Sequence, residues 1–467
     1  MATHSLLFLA LAAAAVQSDP APAPSEPLPV PAAIVEDPML TPVPPAPRVV
    51  KTWDEALALV KERSTDLRSA EAGVERAAGR SRQALGTLLP NARAQAGVAY
   101  DLLNPDVPAF GVGGGGAQVG GGATGGNGKV PTAPLGTVTG TLTQSLVDIS
   151  AWRGLSSARA AETGAVANLH DARRRLTLGL AQVLVSTVAA ERAAEINRVG
   201  LQRALERAAL TQRSFELGAG NQLDVVRVNQ DVAVARGALV SGDEQLRQAR
   251  EALGFALGFG APMGVDPSFN LQGLVDQARK DCAPLDSLDA RPDLVAARAQ
   301  VESARDSRRQ ASAGYLPTLG LSSTLLGFTT DPGFGRFATW NVSAVLAVPL
   351  WEGGTRGGLV RERAGLETQA EATLESARRD VEIEVARARR GVEVAEALVK
   401  TAIESRDLAD RTDRLTRRSF EVGRGSSLEL VQSGAALRQA ELNLVLREFE
   451  LVQARLDAFL TEARCDW

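Results

Sequence analysis

The chain is poor in the residues that carry out chemistry. Its 467 residues include two histidines, two cysteines and two tyrosines. His4 lies in an apolar leader and His170 in a long helical stretch. No His/Cys/carboxylate group has the spacing of a metal site or of a nucleophile and its base. An enzyme is therefore not expected, and neither a cofactor nor a metal ion is expected. Aromatics make up 4% of the chain, while Ala, Leu, Arg, Glu and Gln dominate the middle stretches, a composition of long helices rather than a compact mixed core. The net charge is −4 with both signs interspersed, so no basic footprint points to nucleic acid. No run of about 18 apolar residues occurs, and a membrane-spanning helix is not expected. The one apolar stretch near the start, Leu6–Val16, has the length of a signal-peptide core, with Ala13-Ala14-Ala15 as a cleavage site, so residues 1–15 read as an export signal. No cysteine stands directly after that stretch, and a lipid anchor is not expected. Cys282 and Cys465 are expected to come together near the junction of the two halves described next. In an oxidising compartment they can pair or stay free, and the sequence leaves both open.

What the chain does contain is the same plan twice. Asp66–Pro90 aligns without a gap on Asp293–Pro317, with Glu75/Glu302, Arg82/Arg309 and Gln83/Gln310 coinciding. Ser214-Phe215-Glu216-Leu217-Gly218 recurs as Ser419-Phe420-Glu421-Val422-Gly423. So long a period is a duplicated domain and not a solenoid unit. The expected divisions are an extended Pro/Ala-rich segment over 16–50, a first repeat over 51–260, an inter-repeat segment over 261–290 and a second repeat over 291–467. Proline and alanine over 19–47 suit an extended linker that does not join a packed core.

Each repeat opens on a helix, the first capped by Thr52 with Glu55 completing a capping box. The helices are expected to run to Pro90 and Pro317. The period then changes from helical to alternating. Trp340, Val342, Ala344, Leu346, Val348 and Leu350 form one apolar face, interleaved with Thr339, Asn341, Ser343, Val345 and Ala347, a pattern and length that match a tilted transmembrane strand. Thr318–Leu326 is its partner, and Ala92–Leu103 with Thr137–Val147 forms the equivalent hairpin. Each hairpin leads into about 65 helical residues, roughly 100 Å, which need neighbours in coiled-coil fashion. Gly218-Ala219-Gly220 and Gly423-Arg424-Gly425 end these helices, and Asn221 and Ser426 cap return helices. The fold class is mainly α, internally duplicated, with four strands per chain. Four strands cannot close a barrel, and a bilayer tolerates no unpaired edge, so other copies of the chain must complete it. The competing reading is a small soluble sheet capping a periplasmic coiled-coil rod.

These residues resemble the TolC-like outer membrane efflux proteins of Gram-negative bacteria. The carriers are Trp53-Asp54-Glu55-Ala56-Leu57, the helix-ending Pro90 and Pro317, Val348-Pro349-Leu350-Trp351-Glu352-Gly353-Gly354, and two tip motifs. The tips are Phe215-Glu216-Leu217-Gly218 with Leu223-Asp224-Val225-Val226, and Phe420-Glu421-Val422-Gly423 with Leu428-Glu429-Leu430-Val431. The resemblance implies a homotrimer with a 12-stranded barrel in the outer membrane, a helical periplasmic tunnel and an equatorial region. It implies a periplasmic adaptor docking on Leu217, Gly218, Gly220, Val422, Gly423 and Gly425, and an inner-membrane pump, proton-driven or ATP-driven, behind it. It also places Asp224 and Glu429 at a constricted periplasmic gate, where a ring of carboxylates favours cations. Both acids also suit the first turn of a helix for dipole reasons alone. Gln432 stands where the family often has a further acid. The leading reading is a passive export duct for small molecules, energised by the inner-membrane pump, and the alternative within the same architecture is the outer-membrane component of a type I protein secretion system. The tract Gly111–Gly128 satisfies G-x-G-x-x-G literally but opens no helix and has no βαβ context, and it reads as a loop at the barrel mouth.

Overall fold

A computed structural model describes residues 37–99, 135–218, 220–329 and 338–467. The expected export signal and the glycine tract lie outside these residues, as does the turn expected at Asp331-Pro332-Gly333 between Thr318–Leu326 and the Trp340 strand. In chain order the elements are β1 (Val49–Val50), α1 (Trp53–Arg63), α2 (Thr65–Gly86), β2 (Asn91–Ala99), β3 (Leu135–Val147), α3 (Ile149–Glu216) and α4 (Gln222–Ala256). There follow β4 (Gly264–Val265), α5 (Leu274–Asp281), β5 (Cys282–Pro284), α6 (Pro292–Ala313), β6 (Thr318–Phe328), β7 (Ala338–Ala347), α7 (Thr355–Glu421), α8 (Ser427–Thr461) and β8 (Ala463–Cys465). None of the described helices is long and apolar enough to cross a membrane.

The two long helices, α3 and α7, hold 68 and 67 residues, so each spans about 100 Å. A helix of that length needs lateral support along most of its course, and packing supplies it. On the hairpin side the order of packed helices is α2, α3, α6, α7, and on the far side it is α4, α3, α8, α7. Thus α4 continues the line of α2, and α8 that of α6, while α3 and α7 run through. The four longer strands form one antiparallel sheet in the order β2-β3-β6-β7. Its outer strands, β2 and β7, each have one edge that is unpaired among the described residues.

The principal core lies at the equator, where Trp53, Val60, Leu184, Leu253, Leu257, Leu274 and Leu456 are fully or nearly fully buried. Trp53 is wholly buried, and its indole N–H donates to Asp281 over 2.8 Å. The inter-repeat segment receives both flanks of the chain: β1 pairs in parallel with β4, and β5 pairs antiparallel with β8. In the second of these sheets Cys282 and Cys465 are directly opposite and joined as a disulfide, which closes the question that the sequence left open.

Three expectations need correction. The first helix is interrupted at Ser64, whose extended backbone ends α1 and whose side chain accepts from Leu67 N to cap α2. β7 ends at Ala347, opposite Thr318, so Val348 and Leu350 lie beyond the strand. The cause is the pair of prolines: Pro317 precedes the first residue of β6, and Pro349 lacks a ladder donor and restricts Val348. The proline-rich segment also joins the packing, from Asp37 onward. Asp37 pairs with Arg236 of α4 at 2.7 Å, Met39 and Leu40 pack on a core of Leu201, Ala204, Val232 and Leu239, and Arg250 donates to the Pro44 carbonyl. Apolar side chains every few positions on α3 and α4 thus give a polar-looking strap something to lie on.

Candidate functional site

The sheet sorts its side chains by row. Trp340, Leu325, Gly140 and Ala94 stand in one cross-strand row, and Val342, Ser323, Leu142 and Ala92 in another on the same face. The intervening rows are Asn341, Thr324, Thr141, Arg93 and Ser343, Ser322, Thr143, Asn91. Period-two alternation with this register puts these apolar rows on one face and these polar rows on the other, while Leu326 and Val345 stand on the second face and Gln144 on the first. Trp340, Val342 and Leu346 are exposed, and Ala344 stands on the same face. The one hydroxyl in those apolar rows, Ser323, is satisfied there: the Trp340 indole N–H donates to it over 2.9 Å.

At the far end of α3 and α7 the two turns repeat one geometry. Gly218 and Gly423 have φ of 76° and 75°, a left-handed conformation that any L side chain disfavours. Gly220 and Gly425 need to be glycine for a different reason: a Cβ there would approach the backbone N of Phe215 at 3.0 Å and of Phe420 at 2.9 Å. The turns therefore push Leu217 and Val422 outward, with 76% and 63% of their surfaces exposed.

The two acidic residues sit in the first turns of α4 and α8, but their surroundings differ. Asp224 accepts a hydrogen bond from the Ser427 hydroxyl of α8 and faces Arg227 at 3.5 Å. Glu429 closes the capping box of its own helix: Ser426 N donates to its carboxylate over 3.3 Å, and its own N–H donates to Ser426 Oγ over 3.2 Å. One carboxylate ties the repeats together, and the other is spent locally.

About two to three turns inward lies a buried charge pair that sequence reading missed. Arg207 of α3 meets Asp231 of α4 at 2.6 Å, and both side chains are more than nine-tenths buried. Gly434 of α8 lies over the guanidinium, where a Cβ would come within 2.7 Å of Arg207 Nη1. The signal available in the sequence was an Arg and an Asp at helix positions that otherwise face apolar neighbours. The second repeat solves the same place with Asp413, which accepts from the Ser433 hydroxyl at 3.2 Å and pairs with Arg417 at 3.4 Å. A cavity of about 1030 Å³ opens at the equator between α3, α8 and the inter-repeat segment, lined among others by Val188, Phe269, Leu271, Phe449 and Arg455. Among the described residues no group of His, Cys, Asp or Glu could hold a metal ion.

A helical column of about 100 Å carrying a small sheet with one apolar face and two open edges defines a channel-forming protein of the outer-membrane type. The family described as outer membrane efflux protein matches residues 56–259 and 283–457, most of the chain, and the chain belongs to that family. Among similar proteins, the fusaric acid resistance protein FusA of Burkholderia cepacia is 28% identical over 187 residues, covering 38% of this chain and 34% of FusA. The protease secretion protein PrtF of Dickeya chrysanthemi is 22% identical over 341 residues, covering 68% of this chain and 70% of PrtF. The chain thus aligns to about a third of the first relative and over two thirds of the second. The outer membrane protein VceC of Vibrio cholerae has the same fold, with a TM-score of 0.72 at 17% identity over 87% of this chain and 95% of VceC.

Proposed function

We propose that this chain is the outer-membrane channel of a tripartite export system, a passive duct for small molecules. Three copies close a 12-stranded barrel, apolar rows toward lipid and polar rows toward water, and the helices continue as a periplasmic tunnel. An inner-membrane pump supplies the energy through a periplasmic adaptor docked on the tips at Leu217–Gly220 and Val422–Gly425. Asp224 and Glu429 line the periplasmic entrance. The observation that carries this reading is the four-stranded sheet with an apolar face and unpaired edges at β2 and β7, because a bilayer leaves such edges no partner but another copy.

The first test is molar mass by light scattering of detergent-solubilised protein taken from the urea-washed outer-membrane fraction. A trimer supports the duct. A monomer in the soluble periplasmic fraction refutes it and favours the structural rod. For the gate, Asp224→Ala with Glu429→Ala is expected to raise single-channel conductance or weaken cation preference, and unchanged values for both would remove these residues from the gate. The alignment with PrtF favours a second reading, the outer-membrane component of a type I protein secretion system. Gene neighbours separate the two: a proton-driven pump with an adaptor, or an ATP-binding transporter with a secreted protein.

A further inference from the structure

The helical wall has two open edges, just as the sheet does. β2, α2 and α4 line one edge and β7 and α7 the other, so in a closed ring the α4 edge of one copy meets the α7 edge of the next. Among the described residues, both edges carry apolar side chains without a partner where a solvated helix would carry polar ones. On α4 these are Val226, Val234, Val240 and Phe255, the last with 85% of its surface exposed. They stand on the face opposite Val232, Leu239 and Leu253, which are buried on the other side of the helix. On α7 they are Val394, Leu408 and Leu415, which share one heptad position. That position lies away from Ala395, Ala402 and Asp413, the buried face that meets α8.

The contacts inside one copy fix the relative heights of these residues. Thr187 of α3 donates to the Ala249 carbonyl of α4, Gln182 of α3 to Asp457 of α8, and Arg455 of α8 pairs with Glu396 of α7. Neighbouring helices are antiparallel and rise 1.5 Å per residue, so one step along α4 answers one step along α7 in the opposite numbering sense. Carried from these contacts, Phe255 is level with Val394 and Val240 with Leu408. Val234 is level with Leu415, each pair to within a helical turn. Rotation about a ring axis leaves height unchanged, so the next copy presents the same residues at the same levels.

We propose that an inter-copy ladder, Phe255 on Val394, Val240 on Leu408 and Val234 on Leu415, sets the register of neighbouring subunits from the equator toward the tip. The contact is heterologous, a different patch on each side, and such contacts close only as rings or continue as filaments. The ladder rests on the cyclic-channel reading above, and its test separates the two.

Val240→Cys/Leu408→Cys and Phe255→Cys/Val394→Cys double variants are oxidised in outer-membrane vesicles and run on non-reducing gels. The native cysteines are joined to each other and supply no free thiol. Most of the protein is expected to shift into a cross-linked ladder ending at three subunits, with none from any single variant. Val240→Cys/Lys400→Cys is the register control. Lys400 lies about 12 Å along α7 from Leu408, well past the roughly 4.5 Å over which Cβ atoms can be bridged. A cross-link at Val240/Lys400 in place of Val240/Leu408 overturns the register but keeps the ring. No cross-link from any pair in a protein that is trimeric by mass overturns the ladder altogether. A monomeric mass takes away the ring itself, and the ladder with it.

Discussion

Removing the Cys282–Cys465 disulfide should weaken the equator more than any exposed substitution. The bond joins residues 183 positions apart in sequence, and the closed loop holds α6, the β6–β7 hairpin, α7 and α8. Chain-entropy treatment of a loop that long gives a stabilisation of about 5 kcal/mol. That figure is a ceiling, because long helices in the reduced chain keep residual order and shorten the effective loop. Both sulfurs are essentially buried, Cys282 at 1% and Cys465 at 0% exposure, so Cys282→Ala/Cys465→Ala removes the link without burying a new polar group. Linkage provides a direct assay. The equilibrium constant for oxidising the dithiol by glutathione disulfide is measured in the native protein and again in strong urea. At a tenfold ratio per 1.4 kcal/mol, the native protein should favour the disulfide on the order of a thousandfold more than the unfolded chain. In the Ala variant, hydrogen exchange should rise first over Ala463–Trp467 and β5. A ratio below about tenfold would mean that the helices hold the equator closed without the link, and the loop-closure argument would be refuted.

Two further outcomes follow from buried charge. Asp231→Ala leaves the Arg207 guanidinium buried without its partner and should cost about 3–5 kcal/mol, read as a fall in urea midpoint. Arg207→Met with Asp231→Leu should recover most of that loss, and a double variant as weak as the single one would contradict the desolvation reasoning. Burial, with Arg464 beside it, holds the His170 imidazole below its ordinary 6.5, outweighing Asp466 at 2.8 Å. The unfolded chain therefore takes up this proton first as pH falls, so the packing of β8 and Trp467 on α3 is at full strength above pH 6.5 and loses stability on acidification below it. Hydrogen exchange over Ala463–Trp467 at pH 7.5 and 5.5 measures this, and His170→Asn should flatten the difference.

Much of this architecture was legible in the sequence because duplication and periodicity are strong signals. Trp340–Leu346 alternates cleanly, and α3 and α7 have the lengths their turn glycines imply. Elements whose cause lies elsewhere in the chain were harder to read. Nothing local announces that Asp37–Pro44 will lie along α3 and α4, since its seat is built from Leu201, Ala204 and Leu239 far downstream. The two-residue strands β1 and β4 and the three-residue β5 and β8 are too short for any period to show, and tertiary pairing alone makes them strands. Val348 and Leu350 keep the strand's alternation on paper, but their partner has already ended at Pro317. The buried Arg207–Asp231 pair was missed because each residue alone reads as a solvated helix charge.

The duplication itself is the most instructive source of error, because alignment makes Asp224 and Glu429 look like one residue used twice. Their neighbours break the equivalence. Three positions on, the first repeat has Arg227 where the second has Gln432, and two positions before, the first has Gln222 where the second has Ser427. Asp224 therefore finds a cation on its own helix and a hydroxyl on the other repeat, whereas Glu429 finds only its own cap. Neutralising Asp224 removes the bond between α4 and α8 at the tip, so it should loosen the two return helices relative to each other. Neutralising Glu429 weakens a single N-cap, by about 1 kcal/mol, and leaves the repeats joined. Single-channel recordings of the two single variants distinguish these roles: Asp224→Ala should give more frequent or longer openings, and Glu429→Ala should change ion preference more than open time. Identical behaviour of the two would mean that the entrance responds only to total charge and that the Ser427 bond has no part in keeping it shut.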